Sequence, residues 1–170
     1  MKIAFIGTHG TGKTTLSYSL TAELKKRGID AGMVNETARK CPFPLNRETT
    51  LDAQLWIMTA QIGEELENLK RHSHVVCDRS ILDPYIYALV NNCSSPVLET
   101  ISDSWVKTYD FLFKVPVLYP LQADKLRPDD KKFQAEVDDM MELVLKKKNI
   151  PFFRAPKENQ IDFIMKTVLS

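Results

Sequence analysis

The octapeptide Gly7-Thr8-His9-Gly10-Thr11-Gly12-Lys13-Thr14 constrains this chain more than any other stretch. It fits the pattern G-x-x-x-x-G-K-[ST]. Glycines at these places let the backbone curl so that successive N–H groups face one anion. A helix that starts directly afterwards turns its positive end to the same anion. The lysine of such a loop reaches the β- and γ-phosphates of a nucleotide, and the hydroxyl that follows it holds Mg²⁺. The pattern carries weight only with a strand before it and a helix behind it, and both are present. Lys2-Ile3-Ala4-Phe5-Ile6 reads as a buried strand. Lys13 to Arg27 reads as a helix, with Leu16, Leu20 and Leu24 on one stripe, cations in its last turn and Gly28 beyond. Gly7, Thr8, His9, Gly10, Thr11, Gly12, Lys13, Thr14 and Thr15 are therefore candidate nucleotide ligands.

The remaining bounds come from composition. A length of 170 residues suits one domain, 1–170, large enough to bury a core. A formal net charge of +1 gives no reason to expect nucleic acid or a membrane surface as partner. No apolar stretch approaches the length of a membrane span. The N-terminal apolar run is too short for a secretory signal. Cys41, Cys77 and Cys93 are odd in number and lack metal-binding spacing, which suits reduced thiols in a cytoplasmic protein, with Cys77 in the core.

Along the chain, apolar runs alternate with helical patterns. Ala31 to Glu36 reads as a second strand. Pro42 and Pro44 make Thr37 to Arg47 a loop. Leu51, Leu55, Met58, Ile62, Leu66 and Leu69 predict one apolar face of a long helix over 50–70. His74 to Asp78 is a third strand, with His72 and His74 exposed at its start. A helix capped by Ser80 runs to Asn91 with a kink near Pro84. Another runs from Ser95 to Tyr109 with Pro96 at its first position. Phe111 to Val115 is a fourth strand. A basic loop, about 117–132, then precedes a helix whose face is Phe133, Val137, Met140, Met141, Val144 and Leu145. Pro151 to Arg154 and Ile161 to Leu169 give a fifth strand and a last helix. Such alternation means a parallel sheet covered on both faces, with ligands outside the carboxyl ends of the strands.

Those strand ends supply the candidate chemistry. Asp78 closes its strand as a Mg²⁺ ligand beside Thr14 would, although an Asp there also caps helices. Arg79 either grips an acceptor or the transferring group, or is a surface arginine. Glu36 can take a proton from an attacking hydroxyl, and Arg39 follows it; a surface Glu–Arg pair is the plainer alternative. Arg127 and Lys125, with Lys131 and Lys132 behind them, can close over phosphates and exclude water. Trp56 and Gln61 can stack on and hydrogen-bond a base, or be plain core and helix surface.

Taken together, Gly7–Thr14, Asn35-Glu36-Thr37-Ala38-Arg39, Asp78-Arg79-Ser80 and the Asp124/Arg127 loop resemble the P-loop nucleoside and nucleotide kinases. The layout is most similar to the ribosylnicotinamide kinase domain of NadR and its ATP-binding relatives. The resemblance implies a three-layer α/β/α fold around a five-stranded parallel sheet in the order 2-3-1-4-5. It also implies ATP with Mg²⁺, the metal near Thr14 and Asp78, and an arginine lid. The family's acceptor-side carboxylate falls on Glu36, its Asp-Arg pair on Asp78 and Arg79, and its adenine-contacting turn near Pro156 and Lys157. The lid here has one clear arginine, fewer than nucleoside monophosphate kinases often carry. The expected function is transfer of the γ-phosphoryl group of ATP to a small nucleoside or nucleotide, with catalytic Lys13, Glu36, Asp78, Arg79 and Arg127. Acceptor contacts would come from Glu36, Arg39, Trp56, Gln61 and Arg79. A nucleotide-dependent switch and a nucleic-acid end kinase remain the alternatives, and a homodimer stays open.

Overall fold

The computed structural model describes residues 1–118 and 131–170. The greater part of the expected basic loop, Tyr119 to Asp130 with Asp124, Lys125 and Arg127, lies outside the described residues. The elements are β1 (Lys2–Ile6), α1 (Lys13–Lys26), β2 (Ala31–Val34), α2 (Leu51–Arg71), β3 (His74–Asp78), α3 (Leu82–Val90), α4 (Pro96–Trp105), β4 (Phe111–Lys114), α5 (Lys131–Lys147), β5 (Phe153–Arg154) and α6 (Gln160–Val168). Short 3₁₀ turns at Thr37–Lys40 and Asn46–Glu48 carry the proline-bearing segment, where the prolines rule out longer regular structure.

The five strands form one parallel sheet in the order β2-β3-β1-β4-β5. Central β1 is buried at every position, as a strand covered on both faces must be. Its residues alternate between two cores. Ala4 and Ile6 face a core with Met58 of α2, Ile86 of α3 and Val137 of α5; Ile3 and Phe5 face one with Leu20 of α1 and Ile164 of α6. This is the expected three-layer arrangement.

Helix ends follow local chemistry. Thr50 and Ser95 cap α2 and α4 through their hydroxyls, and Pro96 opens α4 where its missing N–H costs nothing. After α1, Gly28 takes φ 75°, while its N–H reaches Lys25 O at 2.9 Å and that of Ile29 reaches Leu24 O at 3.0 Å. Asn92 and Asn149, at φ 53° and 50°, close α3 and α5 with the same paired bonds.

Four expectations change. Pro84 produces no kink, because it sits in the first turn of α3, where backbone N–H groups have no intrahelical acceptor. β2 stops at Val34, leaving Glu36 just past the strand end. His72 and His74 are half-buried, and His72 Nδ1 lies 2.7 Å from Asp30 Oδ1. The fourth change concerns α2. Its buried stripe is Ala53, Gln54, Ile57, Met58, Gln61 and Glu65, while Leu66 and Leu69 are exposed. The helix is rotated from its hydrophobic face toward one that carries polar groups inward, and this rotation furnishes the site.

Candidate active site

The loop between β1 and α1 curls as its glycines permit. Gly7, Gly10 and Gly12 take φ 132°, 73° and 88°. A Cβ on Gly7 would stand 3.0 Å from Val115 O, so the close approach of the backbone just past β4 also demands glycine there. Lys13 is 5 % exposed, and its ammonium donates to Thr8 O and to Thr11 Oγ1, the latter at 3.2 Å. Burial, then the charge of Arg79, pulls its pKa from 10.5 down to about 7, against the opposing pull of Asp83, Asp78 and Glu36. Thr15 is exposed at the mouth of the loop, and His9 is buried beneath it with Nδ1 3.2 Å from Tyr87 Oη. Gln134 Nε2 of α5 donates to His9 O at 2.8 Å, fixing the underside of the loop.

At the end of β3, Asp78 is buried and its Oδ2 accepts from Thr14 Oγ1 at 2.6 Å. The two hard oxygen donors expected near Mg²⁺ are thus neighbours. Among the described residues no cluster of three or more His, Cys, Asp or Glu could hold a metal.

Arg79 comes next, at φ 99°. Its Nε donates to Glu36 Oε1 at 2.7 Å and its Nη1 to Asp83 Oδ1 at 2.9 Å. Burial opposes its charge, but Glu36, then Tyr87, Asp83 and Asp78, outweigh burial and hold the guanidinium charged well above its ordinary range. Glu36, 7 % exposed, also accepts from Arg39 Nε at 2.8 Å. These groups, with His9, Gln54, Ile57, Pro84 and Tyr87, line one cleft beside the glycine loop.

Asp83 is a site residue that sequence reasoning missed. Its other oxygen accepts from Ser80 N at 2.9 Å and Ser80 Oγ at 3.2 Å, the back-reaching half of a capping box. The signal was Ser80-x-x-Asp83, read only as far as its serine. Burial pushes the Asp83 carboxyl up, with Arg79 and Lys13 pulling the other way. Gln54 was missed as well, because a glutamine inside a helical pattern gives no hint that it faces a cleft.

The structure brings Lys13, Thr14, Asp78, Arg79, Glu36 and Arg39 together at the carboxyl ends of β1, β2 and β3. It sets Trp56 half-buried away from the cleft lining, and Gln61 behind the cleft, donating to Glu65 Oε1 at 2.9 Å and to Arg79 O at 3.4 Å. Half-buried Pro156 and exposed Lys157 follow edge strand β5.

A glycine loop joining the central strand to a helix, in a parallel sheet ordered 2-3-1-4-5, defines a P-loop α/β protein of the nucleoside and nucleotide kinase fold. The family model described as an AAA domain matches residues 2–160, and the chain belongs to that family. Among solved structures, the chain is similar to deoxyadenosine kinase from M. mycoides with bound dATP, at 22 % identity over 100 % of both chains and a TM-score of 0.67. It is similar also to thymidylate kinase from Ehrlichia chaffeensis, at 20 % identity over 99 % of this chain and 96 % of the other, TM-score 0.66. No curated protein matches significantly. No helix among the described residues is long and apolar enough to cross a membrane.

Proposed function

We propose that the protein is an ATP-dependent kinase whose acceptor is the hydroxyl of an uncharged, nucleoside-like molecule. The observation that carries this reading is the charge pairing in the cleft. Arg79 is held by Glu36 and Asp83, and Arg39 by Glu36. A phosphate acceptor needs cations to hold it. Here each cleft arginine already faces a carboxylate, while Ile57, Pro84 and Tyr87 offer the apolar surface that suits a base or sugar. The fold similarity to a deoxyadenosine kinase and to a thymidylate kinase supports the kinase part of the reading without choosing the acceptor, as does the likeness of Gly7–Thr14 to nucleotide-binding loops.

In this reading the acceptor oxygen forms a bond to the γ-phosphorus of ATP while the bond from that phosphorus to the β-bridging oxygen breaks, releasing ADP. Glu36 takes the hydroxyl proton. Lys13 supplies positive charge to the transferring group, a role Arg127 shares from its place in the sequence, while Arg79 holds the Glu36 carboxylate in place for the proton transfer. Thr14 and Asp78 would hold Mg²⁺, which neutralises phosphate charge when bound.

The test is ATP consumption across nucleosides, nicotinamide riboside and nucleoside monophosphates, with Glu36→Gln beside the wild type. Turnover with a nucleoside, cut about 10²–10⁴-fold by Glu36→Gln, is the expected result, the usual size of a general-base contribution. Undiminished turnover by Glu36→Gln would remove Glu36 as base. ATP hydrolysis indifferent to every acceptor would point instead to a nucleotide switch.

A further inference from the structure

Arg79 stands in a backbone conformation that side chains other than glycine rarely adopt, at φ 99°. Holding it there costs free energy, and surrounding contacts must over-determine it. Beside Glu36 and Asp83 in the cleft, contacts also come from behind it. Gln61 Nε2 donates to the Arg79 carbonyl at 3.4 Å, and two residues further on the Ile81 N–H donates to Tyr109 Oη at 2.9 Å. Gln61 also reaches the other half of the site, since its Oε1 accepts from Thr37 Oγ1, next to Glu36, at 3.2 Å. One side chain therefore ties together the segments that carry Arg79 and Glu36.

Gln61 and Tyr109 are themselves aimed by one buried carboxylate. Glu65 is fully buried, and its Oε1 accepts from Gln61 Nε2 at 2.9 Å and from Tyr109 Oη at 2.5 Å. Its Oε2 accepts from Lys2 Nζ at 2.7 Å and from Trp105 Nε1 at 2.7 Å. Lys2 Nζ further donates to Thr108 Oγ1 and stands over the Trp105 and Tyr109 rings, 4.7 and 4.3 Å from their centroids. A buried ion pair of this kind is weak as a source of stability, since well-packed apolar residues commonly serve as well. What it does here is fix donor directions. With both carboxylate oxygens engaged, the Tyr109 hydroxyl hydrogen points to Glu65, and its lone pair is left for Ile81. The Gln61 amide nitrogen likewise faces Glu65 and Arg79, and its oxygen faces Thr37.

We propose that Gln61 and Tyr109, oriented by Glu65, are positioning residues that lock Arg79 and Glu36 into reacting alignment. The proposal rests on the kinase reading above. It goes beyond that reading by assigning catalytic weight to groups that do not line the cleft.

The experiment uses Gln61→Met and Tyr109→Phe in the full chain, which keep side-chain volume and remove only the polar contacts. The expected result is a fall in kcat of about 10–100-fold, the size of loss that a small misplacement of reacting groups produces. KM and calorimetric affinity for ATP stay at wild-type values, because the glycine loop is untouched. A purely structural role would lower the melting temperature without changing kcat well below it. Crystal structures of the same variants give a readout independent of turnover: Arg79 should leave positive φ and its Nε should part from Glu36. A folded Gln61→Met protein with kcat within twofold of wild type overturns the proposal. So does one in which Arg79 keeps its φ and its contact with Glu36. If wild-type protein phosphorylates no acceptor, the kinase reading fails by itself, and the crystallographic result still decides whether Gln61 and Tyr109 hold Arg79. Should Tyr109→Phe fail to fold, Gln61→Met alone decides.

Discussion

Replacing Lys13 by methionine should make the ligand-free protein more stable while abolishing phosphoryl transfer. The side chain is 5 % exposed and its pKa is drawn down to about 7 by burial and by Arg79. In the unfolded chain the same group keeps its proton to its ordinary value of 10.5. Between those values the unfolded state binds more protons, so the group's effect on stability becomes more favourable as pH rises from about 7 to about 10.5, and is constant below that window. A gap of this size corresponds to about 5 kcal/mol of destabilisation at neutral and acid pH. Methionine of similar length removes that penalty and forfeits two hydrogen bonds, to Thr8 and Thr11, of about 1 kcal/mol each. The remaining gain, about 3 kcal/mol, raises the melting temperature by roughly 6–12 °C for a domain of this length. The assay is thermal melting of both proteins without nucleotide, at intervals from about pH 6 to about pH 9. The variant's advantage should be largest at the acid end and shrink steadily above about pH 7. Parallel curves across the series, or a wild type more stable at the acid end, would refute the reasoning. A nucleotide polyphosphate bound at Lys13 restores its proton. ATP binding above pH 7 should therefore take up protons in the wild type, and not in Lys13→Met, as calorimetry in buffers of different ionisation enthalpy will report.

Asp83→Asn keeps the side-chain shape but leaves Arg79 with Glu36 as its only carboxylate partner among the described ion pairs. It should lower stability by about 1–3 kcal/mol and tighten binding of nucleoside monophosphates relative to nucleosides, since the cleft gains net positive charge; denaturant melts and competitive binding measure the two effects. Arg127→Ala should lower kcat several-fold or more and leave ATP affinity nearly unchanged, as expected of an arginine that acts on the transferring group. Unchanged steady-state rates with every accepted acceptor would mark Arg127 as a surface residue.

The reach of the sequence ends where side chains meet partners far along the chain. Much of what contiguous residues set was legible, although the short-range Ser80–Asp83 pairing was overlooked and the kink expected at Pro84 did not form. The phosphate loop takes its form from eight successive residues, and its glycines adopt the left-handed angles their spacing demanded. Thr50, Ser95, Pro96 and Gly28 mark helix ends because capping is a matter of a few neighbouring backbone groups. The strand runs and their alternation with helices fixed a covered parallel sheet, and the order of its strands came with the resemblance to P-loop kinases. The strand-end rule also put Glu36, Asp78 and Arg79 on one edge of that sheet. Tertiary structure alone decided which face of α2 points inward. Hydropathy favoured the leucines, but Glu65 is sheltered by Lys2, Trp105 and Tyr109, at sequence separations of 63, 40 and 44 residues, and no local pattern announces such partners. The same holds for the left-handed Arg79 and for its pairing with Glu36, 43 residues away, whereas its pairing with Asp83 is four residues apart in sequence. A charged side chain is stable in the interior only where opposite charge and hydrogen bonds converge on it from several elements, and that convergence exists only once the chain has folded.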